Sequence, residues 1–571
     1  MTPDLHSITW RKGSRHRFGI IAAVLLLLLS CGGAGSPEVT PVAADAPSRT
    51  DDVSQQVIIE CVDTCEAAIA QVQAAGGAVN RNFTHVDAIA ATIPASAFLT
   101  LQQSAAVAGI GKDSLMSIPR LNGIKNKSFD AVLDATEVLS VQTSPARVTV
   151  AGPSDVRPAS YRTDNSLIGA SDLQADGITG NDIVVAIIDS GTANNPDVVE
   201  SLADSIIGGE SLVSGDGEPS ATSTLNDAHG TWVGTMIAAH AQAVLAPDSN
   251  LAAAVTAHMP DSITAQPDGT FVLPIVGTAP AAKLYAIKVF PADGSGSPRS
   301  RTIAALERVL TLKLNFNEGV PSVPVAGDGT EDNPFVYDSL DIKVVNLSLG
   351  GPTLFPSGEL EELIISQLLQ AGVVVVASAG NEGFAAITGA SPGTALAALT
   401  VGAASSAANE RVLRDLQDGP GTGLAFRPTD FLQVAEFSSR GPTADGRVDP
   451  DVLANGVAVL TQGPDGHLNI VSGTSFSSPA AAGAAALLWE AVPEASAADI
   501  RAALIETATA DLISTRSTPF DQGNGIINVS NALDLLRTGD LDASVPTARR
   551  IRDVVPVLTR LERVGVEAIP F

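Results

Sequence analysis

The chain has 571 residues, which is long enough for several domains. Hydrophobic residues make up 45% of it and charged residues 17%, so it can bury a large core, and a disordered chain is excluded. The 62 acidic residues exceed the 33 basic residues, which argues against a nucleic-acid partner. With only three cysteines, the chain is neither a disulfide scaffold nor a zinc protein with paired CxxC motifs.

The N-terminus has the pattern of an export signal. A basic stretch at 11–17 precedes an apolar run of 12 residues, Phe18–Leu29, whereas a membrane-spanning helix needs about 20. The following Leu28-Leu29-Ser30-Cys31-Gly32-Gly33 resembles the lipobox of bacterial lipoproteins. This resemblance implies that residues 1–31 are a signal peptide, that Cys31 is lipidated and that a lipid anchor holds the protein at the cell envelope. Ordinary secretion, with Cys31 lost in the leader, is the alternative.

Residues 32–55 are rich in Ala, Pro, Ser, Thr and Asp, which predicts a flexible tether. Residues 56–118 predict a small α+β domain with the strand–helix–strand–strand–helix–strand order of ferredoxin-like folds. Its clearest elements are the strands Val57–Ile59, His85–Ile93 and Val107–Ile110 and the helices Cys65–Ala75 and Ala95–Ala106. Cys61 and Cys65 are either a local structural disulfide, which an oxidising compartment permits, or two free thiols.

Residues 119–165 show little periodicity and predict a linker. From 166 to 537 the pattern is that of an α/β domain with a doubly wound, mostly parallel sheet, and a tail follows at 538–571. Its apolar runs predict buried strands at Ile183–Ile188, Ala282–Val289, Val344–Leu349 and Val373–Ala377, and Glu359–Ala371 predicts a helix. The stretches 214–220, 317–335 and 404–433 predict surface insertions. Structural calcium is conceivable there, but none has a recognisable order of ligands, so solvated loops are favoured.

Four motifs place reactive side chains where predicted strands end or helices begin. They are Asp189-Ser190-Gly191, His229-Gly230-Thr231, Ala379-Gly380-Asn381-Glu382-Gly383 and Gly473-Thr474-Ser475-Phe476-Ser477-Ser478-Pro479. Because functional groups gather at the carboxyl ends of parallel strands, all four can converge on one edge of the sheet.

The four side chains fit the parts of an acyl-transfer reaction. A serine hydroxyl such as that of Ser475 needs a neighbouring base, and the imidazole of His229 suits this role near neutral pH. The carboxylate of Asp189 would hold the imidazole tautomer and stabilise its charged form. The amide of Asn381 would donate to the oxyanion of the tetrahedral intermediate.

The three triad motifs, in the chain order Asp, His, Ser, resemble the signatures of the subtilase family of serine proteases. Further landmarks of the family are Val345–Gly351, Phe437–Gly441 and Gly523–Asn528. The resemblance spans about residues 166–537. It implies a subtilisin-like fold and a serine endopeptidase with Asp189, His229 and Ser475 as triad and Asn381 in the oxyanion hole. Catalysis would require no cofactor and no metal.

The same resemblance extends to substrate and inhibitor. A polypeptide substrate would lie as an extended strand along Ser348, Leu349 and Gly350, and Ser378, Ala379 and Gly380 would form the other wall of the primary pocket. Residues 56–118 resemble the propeptide inhibitor domain that precedes many subtilases, which implies a precursor bound to its own inhibitor.

Two other functions remain as alternatives. A non-catalytic subtilase-like scaffold would bind peptides, although such scaffolds typically lack a triad residue. An α/β-hydrolase esterase needs Gly-x-Ser-x-Gly and the order Ser, acid, His, both of which differ here. The chain also departs from the family at Trp232, at Gly234-Thr235 and at Ala480, where packing rather than chemistry is affected.

Overall fold

The computed structural model describes residues 53–118, 130–133, 136–144, 163–213, 228–353, 359–510, 513 and 517–539. The predicted signal peptide with Cys31, nearly all of the tether and nearly all of the C-terminal tail lie outside these residues. The chain divides into two units, Met1–Asp51 and Asp52–Phe571, and every described residue belongs to the second.

The N-terminal part of this unit, residues 53–112, is a four-stranded antiparallel sheet with two helices. Its elements are β1 (Ser54–Cys61), α1 (Glu66–Ala74), β2 (Ala78–Asn82), β3 (Ala88–Pro94), α2 (Phe98–Gln102) and β4 (Val107–Lys112). The sheet order is β2-β3-β1-β4. Alternate residues of β1, namely Val57, Ile59 and Cys61, are buried against the helices. A disulfide joins Cys61 at the end of β1 to Cys65, the residue before α1.

The remaining strands follow in chain order. They are β5 (Leu115–Met116), β6 (Ala131–Val132), β7 (Val138–Thr143), β8 (Val184–Asp189), β9 (Ile206–Ser211), β10 (His240–Leu245), β11 (Thr264–Ala265), β12 (Phe271–Val276), β13 (Lys283–Lys288), β14 (Ser297–Pro298), β15 (Pro324–Ala326), β16 (Val336–Tyr337), β17 (Ile342–Leu347), β18 (Gly351–Pro352), β19 (Val374–Ser378), β20 (Ala390–Ser391), β21 (Leu399–Ser405), β22 (Gln433–Val434), β23 (Val452–Asn455), β24 (Val459–Gln462) and β25 (Leu468–Val471).

The remaining helices surround these strands. They are α3 (Thr163–Leu167), α4 (Ala170–Ala175), α5 (His229–Ala238), α6 (Asn250–His258), α7 (Arg299–Asn317), α8 (Leu360–Ala371), α9 (Ala407–Asp418), α10 (Thr422–Phe426), α11 (Thr474–Ala491), α12 (Ala497–Glu506), α13 (Pro519–Gln522) and α14 (Val529–Thr538).

The central sheet has eight strands, in the order β22-β21-β19-β17-β8-β13-β9, with β23 also paired to β21. All of its pairs are parallel except that of β21 with β22. Both faces are buried: along β8, Val185 and Ile187 pack on the side of α5 and α11, while Ala186 and Ile188 pack on the side of α7 and α8. This explains why β8, β13, β17 and β19 were predictable as continuous apolar runs.

The prediction of an unstructured linker at 119–165 is wrong for residues 130–133 and 136–144. In this range β6 pairs with β25, and β7 joins a second sheet in the order β11-β12-β10-β7. Strand β6 has only two residues and no residue of β7 is fully buried, so neither strand shows an apolar period. Their hydrogen-bond partners lie about a hundred or more residues away in the chain.

The interpretation of 404–433 as a surface insertion is wrong for α9, because Val412 and Leu413 are buried in a hydrophobic cluster with residues of α6. The stretch 317–335 includes β15, which pairs with β16 in a hairpin, and 214–220 lies outside the described residues. Among the residues described, no group of three or more His, Cys, Asp or Glu is arranged to hold a metal ion, and no helix is long and apolar enough to cross a membrane.

Candidate active site

Asp189 is the last residue of β8, at the carboxyl edge of the parallel sheet, and it is fully buried. Its Oδ1 accepts a hydrogen bond of 2.7 Å from the backbone N–H of Ser190. The same oxygen lies 2.8 Å from Nδ1 of His229, the first residue of α5. Because a carboxylate can only accept, Nδ1 carries a proton, and in the neutral form of the imidazole the lone pair is then on Nε2.

Close backbone packing brings α5 to Asp189. The N–H of Gly230 donates to Ser190 Oγ at 3.0 Å, and the N–H of Ala193 donates to Thr231 Oγ1 at 3.0 Å. The absence of a side chain at Gly230 permits this approach, since a methyl group there would lie 2.0 Å from the carbonyl oxygen of Gly191.

Ser475 is the second residue of α11 and is 1% exposed. The ring of Phe476, its neighbour in the chain, packs against the His229 imidazole with centroids 5.7 Å apart. The buried hydroxyl of Ser475 and the buried Nε2 of His229 are both without a hydrogen-bond partner among the described residues, and the aromatic ring that follows Ser475 in the chain contacts the imidazole.

The Asn381 side chain is oriented by the start of α11. One of its terminal atoms accepts hydrogen bonds of 2.9 Å from the N–H and the hydroxyl of Thr474, which identifies that atom as the oxygen. The amide nitrogen is therefore directed elsewhere, and it lies 3.3 Å from the position that a methyl group on Gly473 would take. A side-chain N–H donor stands next to the Gly-Thr-Ser motif as a result.

The structure brings residues from both segments predicted to bind substrate to the start of α11. Ser348 follows β17, and its hydroxyl donates to the carbonyl oxygen of Ser475 at 2.8 Å, so this side chain supports the helix start. Gly380 follows β19, and its N–H donates to Thr474 Oγ1 at 3.2 Å. Ala390 lies close to both segments, because its Cβ would be 2.9 Å from a methyl group on Gly350 and 3.3 Å from one on Gly380.

Sequence reasoning missed Ala390, because only the fold brings it between the two glycines. It also missed two buried acids. Burial raises the pKa of Asp130 to about 7, and its carboxylate accepts a hydrogen bond of 3.0 Å from the N–H of Ser472. Burial also raises the pKa of Asp449 to about 7, and its Oδ2 would lie 2.3 Å from a methyl group on Gly389, next to Ala390. No local motif marks either acid.

The chain departs from the family motifs at packing positions. The Trp232 ring lies 6.4 Å from that of Phe476, centroid to centroid, and Ala480 is fully buried in α11. Both positions contribute to the interface of α5 with α11, as expected for residues that pack helices.

A second serine–histidine contact lies elsewhere. Ser205 Oγ is 3.5 Å from His240 Nδ1, but this nitrogen is also 3.1 Å from the carbonyl oxygen of Ala238. The carbonyl can only accept, so Nδ1 is protonated and cannot take a proton from Ser205. Burial lowers the pKa of His240, which is consistent with a neutral structural side chain.

The comparisons agree with this geometry. The family model described as Subtilase family matches residues 180–525, more than half of the chain, and this range contains Asp189, His229, Asn381 and Ser475. The chain therefore belongs to the subtilase family, and at this level it is a serine peptidase of the subtilisin type.

Its relatives include several bacterial proteases. Subtilisin E of Bacillus subtilis is 27% identical over 462 residues, which cover 80% of this chain and 83% of that protein. The subtilisin of Bacillus pumilus is 29% identical over 372 residues, which cover 64% and 96%. Serine protease AprX of Bacillus subtilis is 28% identical over 334 residues, which cover 56% and 59%.

Substitution of Gly230 tests whether backbone packing positions His229. In Gly230→Ala the added methyl group would meet Gly191 O at 2.0 Å, so α5 must move away from Asp189. We expect kcat for peptide hydrolysis to fall about 100-fold, as for a displacement of a catalytic group by about 1 Å. Gly234→Ala is the matched control, because its nearest neighbours are side-chain carbons at 3.2 and 3.3 Å. Equal kcat values for both variants would contradict the prediction.

Proposed function

We propose that the protein is an exported serine endopeptidase that hydrolyses peptide bonds through an acyl-enzyme intermediate. The observation that carries this proposal is the 2.8 Å contact of Asp189 Oδ1 with His229 Nδ1, next to a serine at the head of α11. In the first step His229 Nε2 takes the proton of Ser475 Oγ as the oxygen attacks the scissile carbonyl carbon. His229 then returns the proton to the leaving amine, and Asp189 stabilises the imidazolium between these events.

The proposed oxyanion hole combines two kinds of donor. The amide nitrogen of Asn381 is one of them, because its oxygen is already bonded to Thr474. The other is the start of α11, where the first N–H groups of a helix lack intrahelical partners and carry a partial positive charge. Donors held in place before the reaction stabilise the developing charge without reorganising. Water takes the place of the amine in the second half of the reaction.

A stretch of the chain itself supports the proposed direction of substrate binding. Ser117 and Gly350 exchange two antiparallel backbone hydrogen bonds, of 2.9 and 3.0 Å. On the other side Met116 pairs with Ser297 of β14. Residues 115–117 thus lie between β14 and the wall at Gly350, as an extended substrate would. A non-catalytic scaffold would bind peptides there too, but it would not need the buried Asp189–His229 contact.

We further propose that residues 56–118 are an inhibitory propeptide of ferredoxin-like fold. The sheet order and the position of residues 115–117 support this. Two carboxylates strengthen the contact: Asp113 accepts from the N–H and hydroxyl of Ser300 at the start of α7, at 2.9 and 2.6 Å. Conversely, Glu307 of α7 accepts from the N–H groups of Thr84 and His85, at 2.7 and 2.6 Å.

The contact between residues 56–118 and the catalytic body also has an apolar part. Phe83, Val86 and Met116 are buried in the same hydrophobic cluster as residues of α7 and α8. Extended apolar burial together with charge-assisted hydrogen bonds favours tight binding. The sequence places the catalytic domain at 166–537. We propose that cleavage between the inhibitor and this domain then yields the mature enzyme.

Export and anchoring rest on the N-terminal sequence alone. We propose a lipid at Cys31 and a location at the cell envelope, with structural calcium as an optional addition in surface loops. The lipid would be attached to the precursor, because the proposed cleavage separates Cys31 from the catalytic domain. In a lipidating bacterial host the uncut precursor, accumulated as the Ser475→Ala variant, should partition with membranes, whereas the same precursor with Cys31→Ser should lose the lipid modification detected by mass spectrometry. A fully soluble, unlipidated precursor would contradict the anchor.

Ser475→Ala tests the nucleophile. We expect peptide hydrolysis to fall to background and the precursor to accumulate uncut, because no other group can form the acyl-enzyme. Ser477→Ala, which removes a buried hydroxyl bonded only locally to Thr474 O, is the control and should retain activity and processing. Hydrolysis rates of the purified, folded proteins measure the activity, and their intact masses show whether the precursor has been cut. Undiminished turnover by Ser475→Ala would rule out the mechanism.

Asn381→Ala tests the oxyanion hole. We expect kcat to fall by roughly 100- to 1000-fold with little change in KM, the range known for loss of one such donor in subtilisin itself. Steady-state kinetics with one peptide substrate separate the two constants. A large rise in KM at normal kcat would instead make Asn381 a ground-state binding residue.

Asp113→Ala tests the inhibitor. The isolated fragment 56–118 should inhibit the mature enzyme, and the substitution should weaken inhibition about 10- to 100-fold, since two hydrogen bonds to a carboxylate are lost. Asp87→Ala, at an exposed acid of the same fragment, should leave the inhibition constant unchanged. Failure of the wild-type fragment to inhibit at high micromolar concentration would make residues 56–118 an accessory domain.

A further inference from the structure

A solvent-open cavity lies between residues 56–118 and the catalytic body. Its volume is about 300 Å³, at the lower end of the range for small-molecule sites. None of the four predicted catalytic residues lines it. Polar side chains line it from both sides: Gln56, Asn80, Arg81 and Thr92 belong to the sheet of the proposed inhibitor, and Ser300 and Arg301 belong to the first turn of α7.

The strand register directs Arg81 toward the catalytic body. Arg81 pairs with Ala90 in the ladder of β2 with β3. Paired residues of an antiparallel ladder share one face of the sheet. Ala90 is buried in the same hydrophobic cluster as residues of α7 and α8. The side chain of Arg81 therefore leaves the sheet on the face that the catalytic body covers.

A second guanidinium group faces Arg81 across the cavity. Arg301 is the third residue of α7, and its Nη1 donates to Val289 O at 2.8 Å. Burial lowers the pKa of Arg301, the Asp113 carboxylate raises it, and the positive charge of Arg81 lowers it. The two guanidinium groups are thus close enough to repel each other, although they belong to the two parts of the chain that meet here.

The described residues do not neutralise this pair of charges. Neither Arg81 nor Arg301 forms an ion pair with a described carboxylate. Asp113 is the acid that lines the cavity, but both of its oxygens accept hydrogen bonds from Ser300, at 2.9 and 2.6 Å. Two positive charges and one engaged negative charge leave the lining net positive. Like charges that meet on association cost free energy unless a counter-charge joins them.

The neutral side chains of the lining add hydrogen-bond donors. The Thr92 hydroxyl accepts from the Asn80 amide at 2.9 Å, so the hydroxyl proton of Thr92 is left to donate to another group. Guanidinium groups present parallel N–H donors that match the oxygens of a phosphate group. The lining therefore supplies both the charge and the donors that an oxyanion needs.

We propose that the cavity binds one small tetrahedral oxyanion, such as free phosphate, which bridges Arg81 of the inhibitor and Arg301 of the catalytic body. The anion turns the repulsion between two charges into two attractive contacts. Because it contacts both parts, it binds their associated state best, and by linkage it strengthens their association. The site itself does not depend on activity. Its consequence rests on the proposed function: the anion delays release of the inhibitor after cleavage.

Isothermal titration of the Ser475→Ala precursor with inorganic phosphate tests the site. The ionic strength is held constant with chloride, so that general screening does not contribute. We expect one phosphate per chain, with a Kd in the millimolar range or below. Arg81→Gln and Arg301→Gln should each weaken binding at least about tenfold, since charge-assisted hydrogen bonds are lost. Thermal unfolding without phosphate reports whether each variant is folded.

Lys112→Gln is the matched control for these variants. It removes one positive charge from the same part of the chain, but Lys112 pairs with Val57, which is buried against α1 and α2 on the opposite face of the sheet. Its Kd for phosphate should equal that of the parent precursor. No binding up to about 10 mM phosphate, or an equal loss of affinity in Lys112→Gln and Arg81→Gln, would overturn the site.

Vesicles of phosphatidylglycerol test the other source of a phosphate group. A Ser475→Ala precursor that lacks residues 1–31 should bind inorganic phosphate and should not sediment with these vesicles. Sedimentation that Arg81→Gln abolishes, without binding of inorganic phosphate, would assign the cavity to a lipid headgroup and overturn the free anion.

The effect on release is measured on the wild type. After the precursor has been cut, the rise of peptide hydrolysis with time reports release of the inhibitor. At a phosphate concentration of about three times Kd, release should slow about fourfold, because the anion must leave before the two parts separate. In Arg81→Gln phosphate should have no such effect. Phosphate binding without any change in this time course would overturn the role in release.

Failure of the proposed function has a different signature. In that case the wild type hydrolyses no peptide, and a fluorophosphonate does not label Ser475. The titration with phosphate then still decides about the site, because it is carried out on an uncut chain and needs no turnover.

Discussion

The candidate site depends on the approach of two backbone segments, the turn after β8 and the first turn of α5. A carboxylate and an imidazole that are both nearly buried lose their hydration, and their attraction compensates only in good geometry. That geometry is set by groups other than the two side chains: the bare Cα of Gly230 against Gly191 O, and the hydroxyls of Ser190 and Thr231. The hydrophobic cluster of α5, α11 and the sheet holds both segments in place, so the site is formed before substrate arrives.

The sequence was sufficient for features that are local or repeated. The strands β8, β13, β17 and β19 could be predicted within two residues because both faces of each are buried. The contact of Asp189 with His229 could be anticipated because each residue sits in a short motif at a strand or helix end. Features that arise from the pairing of segments far apart in the chain could not be predicted from the sequence. Strand β2 has little apolar content, and β6 has only two residues and pairs with β25. Ala390 is close to Gly350, forty residues earlier in the chain, and to Gly380.

The contacts of α7 bear on how residues 56–118 would be released if they act as the inhibitor proposed above. While residues 56–118 are joined to the catalytic body, Asp113, Glu307 and the Ser117–Gly350 pairing act within one molecule, at a high effective concentration. Cleavage changes no contact at first, but it turns the interaction into one between two molecules. Rebinding of the fragment then costs translational and rotational entropy, which weakens the interaction. Any slow degradation of the fragment removes it from this equilibrium and drives release.

The disulfide between Cys61 and Cys65 lies wholly within the proposed inhibitor, and the third cysteine of the chain is Cys31. The residues from 66 onward contain no thiol at all. Thiol oxidation therefore concerns the proposed precursor stage alone, because the disulfide and the third cysteine both lie before residue 66. The proposed removal of residues 56–118 would leave a protease with no sulfhydryl group to oxidise, to mispair or to bind a metal, so thiol–disulfide exchange could no longer act on it.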